Sequence, residues 1–570
     1  MPEKSCNVLE TLCAKSGDHE FYTEKPLNYK SGRTKYIVVT GSVISGVGKG
    51  TFTSSLASVL HLYHGLKVSP IKFDGYLNCD AGTLNPYRHG EVFVLDDGTE
   101  CDLDLGSYER MLNINLTRGN YITAGKIFKS IIDKERAGKY LGRDVQFIPH
   151  VTGEIKGFIR KLAVDTNADV VIVEVGGTVG DIENSYFMEA MRELAYEEGK
   201  SNVCFVNVVY ILEPGSLGEQ KSKAAQLGIK MLMAIGIQPD MVVCRGEHPI
   251  KEKVMEKISV YSNVPMERIV NSFDAKNILE IPLFLVKNGV DKAVLAILGI
   301  ESRHGNDNDF RHWESIVEKI DGAKKEIRIG ITGKYTEVHD AYISILKALE
   351  HTAPYFGARV FVDWIETSDI NAQNVAVRLK GMDGIIVPGG FGSRGTEGKI
   401  ECIRHARENK LPYFGLCYGF QMAVIEFARN VCGLKGANST EIDPQTKEPV
   451  IDILPEQKKI EALGGTMRLG GRDVEVRKGT LAHKLYGKDS VRERFRHRYE
   501  VNPDYIKRLE GNGMIFSGRA PNQPIMQILE LAGHPFFVGV QFHPEFTSKP
   551  LEPNPLFRGF IEACIKNKVI

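Results

Sequence analysis

The chain has 570 residues, enough for roughly two to four domains with full cores. Its 72 basic and 72 acidic residues give zero formal net charge, which argues against a general nucleic-acid binder. The ten cysteines show no C-x-x-C pair, which argues against a zinc site or a disulfide framework. Neither a secretory signal nor an apolar run of ~20 residues is visible, so we expect a soluble, cytoplasmic protein without a membrane partner.

Short apolar runs alternate with helical patterns over most of the chain, which predicts α/β folding with parallel sheets. We interpret the polar residues 1–34 as an N-terminal extension, residues 35–300 as a first domain, residues 301–325 as a linker and residues 326–570 as a second domain. The predicted strands are Tyr36–Val39, Val68–Lys72, Val170–Val175, Val203–Leu212 and Met241–Cys244, then Ile327–Thr332, Arg359–Ile365, Gly384–Val387, Pro412–Leu416 and Phe536–Phe542.

The stretch Gly41–Thr51 has the layout of a phosphate-binding loop between a strand and a helix. Glycine N–H groups, a helix N-terminus and the charge of Lys49 would all favour an anion. The strict G-x-x-x-x-G-K-[ST] pattern fails, because Val43 stands five residues before Gly48 and Gly50 follows the lysine. The stretch is therefore a variant loop, and a strand-to-helix turn without phosphate is the alternative.

Acidic residues follow in the first half. Glu100–Gly106 alternates acidic and apolar residues, which on a strand would place Asp102 and Asp104 on one face. Glu174 ends the predicted strand Val170–Val175, and a carboxylate beside a phosphate loop suits Mg²⁺. The alternative is that these acids are solvated strand ends.

A nucleophile elbow is indicated in the second half, where Gly415 and Gly419 flank Cys417 at two residues' distance. A helix N-terminus at this position would favour the thiolate. Downstream, His543 and Glu545 stand two apart, so an extended chain would point both the same way. A buried structural cysteine and a core histidine are the alternatives, but together the three residues favour a catalytic triad.

Before the elbow, the glycine cluster Val387–Gly392 could offer N–H groups to an oxyanion, or could be an ordinary turn. The motifs Pro388–Gly392, Gly415–Gln421 and Gln541–Glu545, in this order, resemble the class I glutamine amidotransferases. The resemblance implies glutamine hydrolysis through a cysteinyl thioester, with Cys417 as nucleophile, His543 as base and acid and Glu545 as its orienting partner. It also implies a mobile lid at Gly392–Gly398. The glutamine-binding residues it implies are Gly390, Tyr418, Gly419, Phe420, Gln421, Glu441 and Arg498.

The first half resembles the synthetase domain of the CTP synthase family. The matching segments are Lys35–Thr51, Lys72–Thr83, His89–Val94, Asp102–Arg110, Lys134–Gly142 and Val173–Glu183. With the amidotransferase half, the match covers nearly the whole chain. It implies that ATP phosphorylates O4 of UTP and that ammonia from glutamine then replaces the phosphate to give CTP.

The resemblance also assigns ligands in the first half. ATP would contact Gly46, Val47, Gly48, Lys49, Gly50, Thr51, Asp104 and Asp274, with Lys49 catalytic and Mg²⁺ on Asp104 and Glu174. UTP, or CTP as feedback inhibitor, would contact Ser45, Asp181, Ile182, Glu183, Lys221, Ser222, Lys223, Ala224, Ala225, Gln226 and Lys257. His89 and Val92 would lie at the mouth of the ammonia passage. Further implications are GTP as allosteric activator, a homotetramer and, in some members, filaments.

The chain departs from the family at Lys221-Ser-Lys-Ala-Ala-Gln226, where the usual sequence is Lys-Thr-Lys-Pro-Thr-Gln. Both lysines are kept, so triphosphate binding is expected, while the fit of the pyrimidine nucleotide is open. Two alternatives therefore stand beside an active CTP synthase. One is a weakly active filament-forming or regulatory paralogue, and the other is an amidotransferase for a different acceptor.

Overall fold

A computed structural model describes residues 25–215, 218–303, 307–333, 339–453 and 467–568. Most of the predicted N-terminal extension, residues 1–24, lies outside these ranges. The chain forms two compact units, one of residues up to Asp80 with Arg118–Phe310, the other of Ala81–Thr117 with the residues from Arg311 onward. Within the described ranges, no helix combines the length and apolar content needed to cross a membrane.

The strands of the described chain confirm the predicted apolar runs. In order they are β1 (Lys35–Ser42), β2 (Val68–Asp74), β3 (Phe93–Val94), β4 (Glu100–Cys101), β5 (Tyr121–Thr123), β6 (Val170–Val175), β7 (Val203–Tyr210), β8 (Met241–Gly246), β9 (Ile269–Phe273), β10 (Lys325–Gly333), β11 (Ala358–Glu366), β12 (Gly384–Val387), β13 (Tyr413–Leu416), β14 (Ala437–Ser439), β15 (Glu448–Ile453), β16 (Arg468–Val476), β17 (Ser490–His497), β18 (Tyr499–Val501), β19 (Met514–Arg519), β20 (Met526–Leu531) and β21 (Phe537–Val540).

The α-helices connect these strands. In order they are α1 (Lys49–Ser58), α2 (Pro86–His89), α3 (Leu103–Leu112), α4 (Ala124–Arg136), α5 (Thr152–Thr166), α6 (Ser185–Glu198), α7 (Lys223–Ala234), α8 (Glu252–Ser262), α9 (Ile281–Lys287), α10 (Val290–Leu298), α11 (Asp307–Asp321), α12 (Ile343–Thr352), α13 (Val375–Arg378), α14 (Thr396–Glu408), α15 (Tyr418–Asn430), α16 (Leu481–Tyr486), α17 (Pro503–Gly511) and α18 (Pro555–Lys568).

The first unit is built on a seven-stranded parallel sheet in the order β5-β2-β6-β1-β7-β8-β9. Every residue of β2 and β6 is buried, and β6 accordingly reads as a nearly continuous apolar run rather than an alternating one. Glu174 is the charged exception in β6. The Gly41–Thr51 loop joins the end of central strand β1 to α1, at the edge where α/β sheets bind ligands.

The second unit contains a nine-stranded sheet in the order β11-β10-β12-β13-β21-β20-β19-β16-β17. Neighbours from β11 to β21 are parallel, and those from β21 to β17 are antiparallel. Strand β13 is an inner, fully buried strand next to the central strand β21, and the elbow follows directly from its end. The α/β class predicted for both halves is confirmed.

At two places the packing of the chain differs from the domain boundaries predicted from the sequence. The segment Ala81–Thr117, here called the inserted segment, belongs to the second unit although it lies within residues 35–300. Helix α11 occupies much of the stretch expected as a linker, and it buries Phe310, Trp313 and Ile316.

The prediction of a strand through Asp102 and Asp104 is wrong. Strand β4 ends at Cys101, and Asp102 is the N-cap of α3, its carboxylate accepting a hydrogen bond of 3.0 Å from the N–H of Asp104. The side chain of an N-cap aspartate satisfies a free N–H of the first turn, and this local contact overrides the alternating pattern.

Candidate active sites

Cys417 lies on a sharp turn between β13 and α15. Its φ of 48° and ψ of −92° are strained for a residue with a side chain, at a cost of about 1–3 kcal/mol. The turn also requires the flanking glycines. A Cβ on Gly415 would lie 2.2 Å from the hydroxyl of Tyr413, and one on Gly419 would lie 2.2 Å from the carbonyl oxygen of Val387. The structure therefore has the geometry of a nucleophile elbow.

His543 and Glu545 form a buried pair beside the elbow. Nδ1 of His543 lies 2.7 Å from Oε1 of Glu545, and the two residues are 8% and 3% exposed. The chain here is a 3₁₀ turn, Pro544–Phe546, rather than the extended strand end that the spacing suggested. The imidazole also stacks on the ring of Phe546, with centroids 4.9 Å apart.

The electrostatics of the pair favour an imidazolium. Burial lowers the pKa of His543, but the charges of Glu545 and Cys417 raise it by more, to about 10. A protonated His543 next to Cys417 stabilises a thiolate by charge, the form that attacks an amide carbon.

The sulfur of Cys417 has two further polar contacts. Its thiol donates to the carbonyl oxygen of Arg496 at 3.6 Å, and the amide Nε2 of Gln541 donates to the sulfur at 3.6 Å. Among the described residues, Nε2 of His543 has no hydrogen-bond partner. Gly389 lies against both catalytic side chains, since a Cβ there would be 2.9 Å from Cε1 of His543 and 3.8 Å from Cβ of Cys417.

The expected lid is held near the elbow by polar contacts. The N–H of Gly392 donates to Oε1 of Glu441 at 2.8 Å, and its carbonyl accepts from the hydroxyl of Tyr418, also at 2.8 Å. The same hydroxyl lies 3.1 Å from Oγ1 of Thr396. The ammonium of Lys399 lies 4.9 Å from the centroid of the Tyr418 ring.

The remaining glutamine-binding candidates occupy different surroundings. Gln421 is 3% exposed and donates to the carbonyl of Tyr499 at 2.9 Å. Burial raises the pKa of Tyr499. The charge of Glu441 raises this pKa further, and the charge of Arg498 lowers it. The side chain of Phe420 is buried in the apolar core, which leaves its backbone for a ligand contact.

The Gly41–Thr51 loop has a backbone suited to an anion. Gly46 and Gly48 have φ of 71° and 90°, and Gly48 is the N-cap of α1. Lys49 is 7% exposed, and its ammonium donates to the carbonyl of Gly177 at 2.6 Å. Ser45 and Gly46 are exposed, Val47 is buried, and Gly50 and Thr51 belong to the first turn of α1. The helix N-terminus and the lysine therefore lie together as the pattern predicted.

Asp274 reaches this loop through an arginine. Its carboxylate pairs with Arg245 at 2.7 Å, and a Cβ on Gly48 would lie 3.2 Å from Nε of Arg245. Sequence reasoning missed Arg245. The available signal was its position near the end of a buried strand, next to Gly246.

The expected metal ligands lie in different units. Glu174, 1% exposed, is paired with Lys72 at 2.8 Å in the first unit, and Asp104 lies in the first turn of α3 in the second. No cluster of three or more His, Cys, Asp or Glu side chains that could hold a metal ion occurs within either unit's described residues. A buried carboxylate at a strand end is an oxygen ligand of the kind Mg²⁺ takes together with phosphate oxygens, so Glu174 fits that role if it shares its charge between Lys72 and the ion.

The pyrimidine-nucleotide candidates of the first unit surround α7. Ser222 precedes the helix, and its hydroxyl accepts from Nε2 of Gln226 at 3.0 Å. Lys221 pairs with Glu219 at 2.5 Å and lowers the pKa of its carboxyl group, and the charge of Lys257 lowers that pKa as well. Lys223 is exposed, Ala224 half-buried and Ala225 buried.

Helix α7 also contacts the loops that carry the other candidates. A Cβ on Gly228 would lie 2.5 Å from Cβ of Ser42, and one on Gly180 would lie 2.3 Å from Cε of Met231. Next to Gly180, the carboxylate of Asp181 accepts from the N–H of Thr178 at 2.7 Å, and Ile182 and Glu183 are exposed.

Two family models match the chain. One, described as CTP synthase N-terminus, matches residues 35–300, and the other, glutamine amidotransferase class-I, matches residues 337–563. A CTP synthase of Thermococcus gammatolerans is 51% identical over 536 residues, which cover 94% of this chain and 99% of that relative. This chain belongs to the CTP synthase family.

Other relatives agree with this assignment. CTP synthases of Caldanaerobacter subterraneus and Clostridium acetobutylicum are 50% and 49% identical, each over 94% of this chain and over 99% and 100% of their own lengths. As a member of the CTP synthase family, the chain is a glutamine-hydrolysing ligase that forms a C–N bond.

The site contains residues to which the motifs assigned no role. Gln541 is the first residue of the motif Gln541–Glu545, and its contact with the sulfur of Cys417 is what assigns it to the site. Arg496 precedes the expected glutamine ligand Arg498 by two residues, and its carbonyl contacts the sulfur. A carbonyl or amide that meets a cysteine across the fold leaves no local signal in sequence.

Proposed function

We propose that this chain aminates UTP to CTP with ATP and with ammonia released from glutamine, and that the two sites described above divide the reaction. The observation that carries the proposal is the elbow of Cys417 beside the buried pair of His543 and Glu545, at 2.7 Å from one another. A strained turn with a nucleophile, a base and an orienting carboxylate is the arrangement that acyl transfer requires.

In the second unit, Sγ of Cys417 attacks the carboxamide carbon of glutamine. The C–N bond breaks as the imidazolium of His543 gives its proton to the leaving nitrogen, and ammonia departs from a cysteinyl thioester. His543 then takes a proton from water, which attacks the thioester carbon and releases glutamate. Glu545 keeps the imidazole oriented throughout.

The carbonyl oxygen of glutamine becomes negatively charged in both steps. The N–H groups of Gly390 and Tyr418 are the proposed donors to this oxyanion, one from the glycine cluster and one from the residue after the nucleophile. Glu441 and Arg498 supply the opposite charges that an α-amino group and an α-carboxylate need. Gly419, Phe420 and Gln421 line the same site.

In the first unit, the N–H groups of Gly46–Thr51 and the ammonium of Lys49 hold the ATP phosphates during phosphoryl transfer to O4 of UTP. Asp274 and Arg245 border the loop on the nucleotide side. Mg²⁺ held by Glu174 of this unit would supply further positive charge to the phosphates. Ammonia then attacks C4, the C–O bond breaks, and inorganic phosphate leaves with the oxygen.

UTP is assigned to residues around α7, among which the exposed Lys221, Lys223 and Lys257 carry positive charge suited to a triphosphate. The assigned residues are Ser45, Asp181, Ile182, Glu183, Lys221, Ser222, Lys223, Ala224, Ala225, Gln226 and Lys257. The family resemblance further supports CTP feedback at these residues, GTP as activator, a homotetramer that can form filaments, and a cytoplasmic location. Sedimentation with and without nucleotides tests the assembly.

The deciding assay uses the purified chain with ATP, Mg²⁺, UTP and either glutamine or ammonia, following absorbance of the cytosine product. We expect product from both nitrogen sources. Cys417→Ala should lose the glutamine reaction and keep the ammonia reaction, whereas Lys49→Met should lose both and still release glutamate from glutamine. Absence of product from ammonia as well as glutamine in the unmodified chain would refute the proposal.

A further inference from the structure

The side chain of Gln541 is aimed at the nucleophile. Gln541 is fully buried, and its Nε2 lies 3.6 Å from Sγ of Cys417, within the range of an N–H···S hydrogen bond. The sheet places the two residues side by side. Leu416 of β13 pairs with Val540 of β21, and the N–H of Cys417 donates to the carbonyl of Val540 at 2.7 Å.

A second amide fixes which end of Gln541 faces the sulfur. Nε2 of Gln421 donates to the carbonyl of Tyr499 at 2.9 Å and to Oε1 of Gln541 at 3.3 Å. A backbone carbonyl can only accept, so it sets the orientation of the Gln421 amide. Because Oε1 of Gln541 accepts this hydrogen bond from Gln421, the NH₂ group of Gln541 is the end that faces the sulfur.

The backbone of Gln541 is held equally firmly. Its N–H donates to the carbonyl of Gln527 in β20 at 2.9 Å. The donor therefore needs no rearrangement when the sulfur gains charge. A fixed donor in a buried site stabilises an anion more than a mobile one does, and hydrogen bonds to charged atoms are about twice as strong as neutral ones.

We propose that Gln541 stabilises the thiolate of Cys417 through its amide N–H, as a further residue of the glutaminase site. The inference rests on the proposed role of Cys417 as nucleophile. His543 provides charge and proton transfer, while Gln541 provides a neutral donor to the sulfur. The thiolate that leaves the thioester after hydrolysis meets the same donor.

Two replacements of Gln541 test the role. Gln541→Met keeps the length and removes the donor, and Gln541→Glu keeps the shape but replaces the NH₂ group with an acceptor. The matched control is Gln527→Met. Gln527 is also a fully buried amide, and its side chain has no hydrogen-bond partner among the described residues.

The readout is the pH profile of Cys417 alkylation by iodoacetamide, measured by mass spectrometry on the peptide that contains Cys417. We expect the midpoint in Gln541→Met to move up by about one pH unit, so that alkylation below the midpoint is roughly tenfold slower. Gln541→Glu should shift it further, and Gln527→Met should leave it unchanged. Glutamine-dependent synthesis at neutral pH should fall in parallel with the alkylation rate.

Unshifted midpoints in both Gln541 variants would overturn the proposal, as would an equal shift in Gln527→Met. Ammonia-dependent synthesis reports whether each variant is folded, and Gln541→Glu carries the test if Gln541→Met does not fold. A failure of the underlying assignment looks different. In that case Cys417→Ala retains glutamine-dependent synthesis, whatever the alkylation profiles show.

Discussion

Arg494 of β17 and Glu109 of α3 form a two-pronged ion pair in which both side chains are 1% exposed. The two N–O distances are 2.7 and 3.1 Å. Arg494 also donates to the carbonyl of Val94, and Glu109 accepts from the N–H of Leu116 at 2.7 Å. The pair therefore ties the inserted segment into the second unit.

Glu109→Gln should destabilise the second unit by about 3–5 kcal/mol, because it leaves the Arg494 charge buried without a counter-ion. Hydrogen exchange of β17 measures the change in unfolding free energy. The matched control is Asp96→Asn, whose partner Arg492 is half exposed on the same strand, and for which we expect a loss below about 1 kcal/mol. Equal losses in the two variants would show that burial of the pair does not matter.

Tyr418→Phe should weaken glutamine binding, because it removes the hydroxyl that donates to Gly392 and contacts Thr396. One neutral hydrogen bond corresponds to a rise in KM for glutamine of about two- to tenfold, with little change for ammonia. Tyr505→Phe is the control, since its hydroxyl bonds to Glu448 in the same unit. An unchanged KM in Tyr418→Phe would mean that this contact does not close the lid.

Glu493 should make the second unit less stable as the pH rises from about 5 to 8. Burial raises the pKa of Glu493 to about 7, against an ordinary value of 4.5, although Tyr486, Thr547 and Asn554 donate to its carboxyl group. The folded state thus holds a proton that the unfolded chain releases. The stabilisation is complete below pH 4.5 and is lost as the pH rises through 7, amounting to at most about 3 kcal/mol.

Glu493→Gln should flatten this dependence without removing it, because burial also raises the pKa of Glu91 to about 7 and that of Glu500 to about 8. Thermal unfolding at pH 5 and pH 8 measures the difference. Glu475→Gln, at a surface pair with Arg519, should keep the slope of the unmodified chain. An unchanged slope in Glu493→Gln would contradict the protonated state assigned to Glu493.

Lys223→Ala should raise KM for UTP by about ten- to a hundredfold, the effect of one charged contact to phosphate. Lys230→Ala is the control, because Lys230 is also exposed and lies two turns further along α7. Steady-state synthesis with ammonia isolates the nucleotide site from the glutaminase. Similar values for both variants would remove Lys223 from the proposed UTP site.

Sequence patterns predicted those features that depend on neighbouring residues. The strand, glycine loop and helix around Lys49 follow from local periodicity and backbone freedom. The glycines on either side of Cys417 likewise predicted its sharp turn. The strand predicted from the alternation of acidic and apolar residues does not form at Asp102. The hydrogen bond from the N–H of Asp104 to the Asp102 carboxylate is equally local, and it favours a helix start over a strand.

Contacts between distant residues could not be predicted in the same way. Arg494 and Glu109 are separated by 385 positions, and Gln541 and Cys417 by 124. Their meeting depends on the order of strands in the sheet and on the packing of the inserted segment. Periodicity reports that a residue is buried, but it does not report which charge or amide is buried against it.

The inserted segment limits how this enzyme could be recombined. Arg492, Arg494 and Arg496 alternate along β17, and each pairs with an acid of that segment: Asp96, Glu109 and Glu100. A chimera joined at the apparent boundary near residue 310 would take the arginines from one parent and their acids from the other. To keep each arginine with the acid that it contacts here, a hybrid should transfer residues 81–117 together with the glutaminase half.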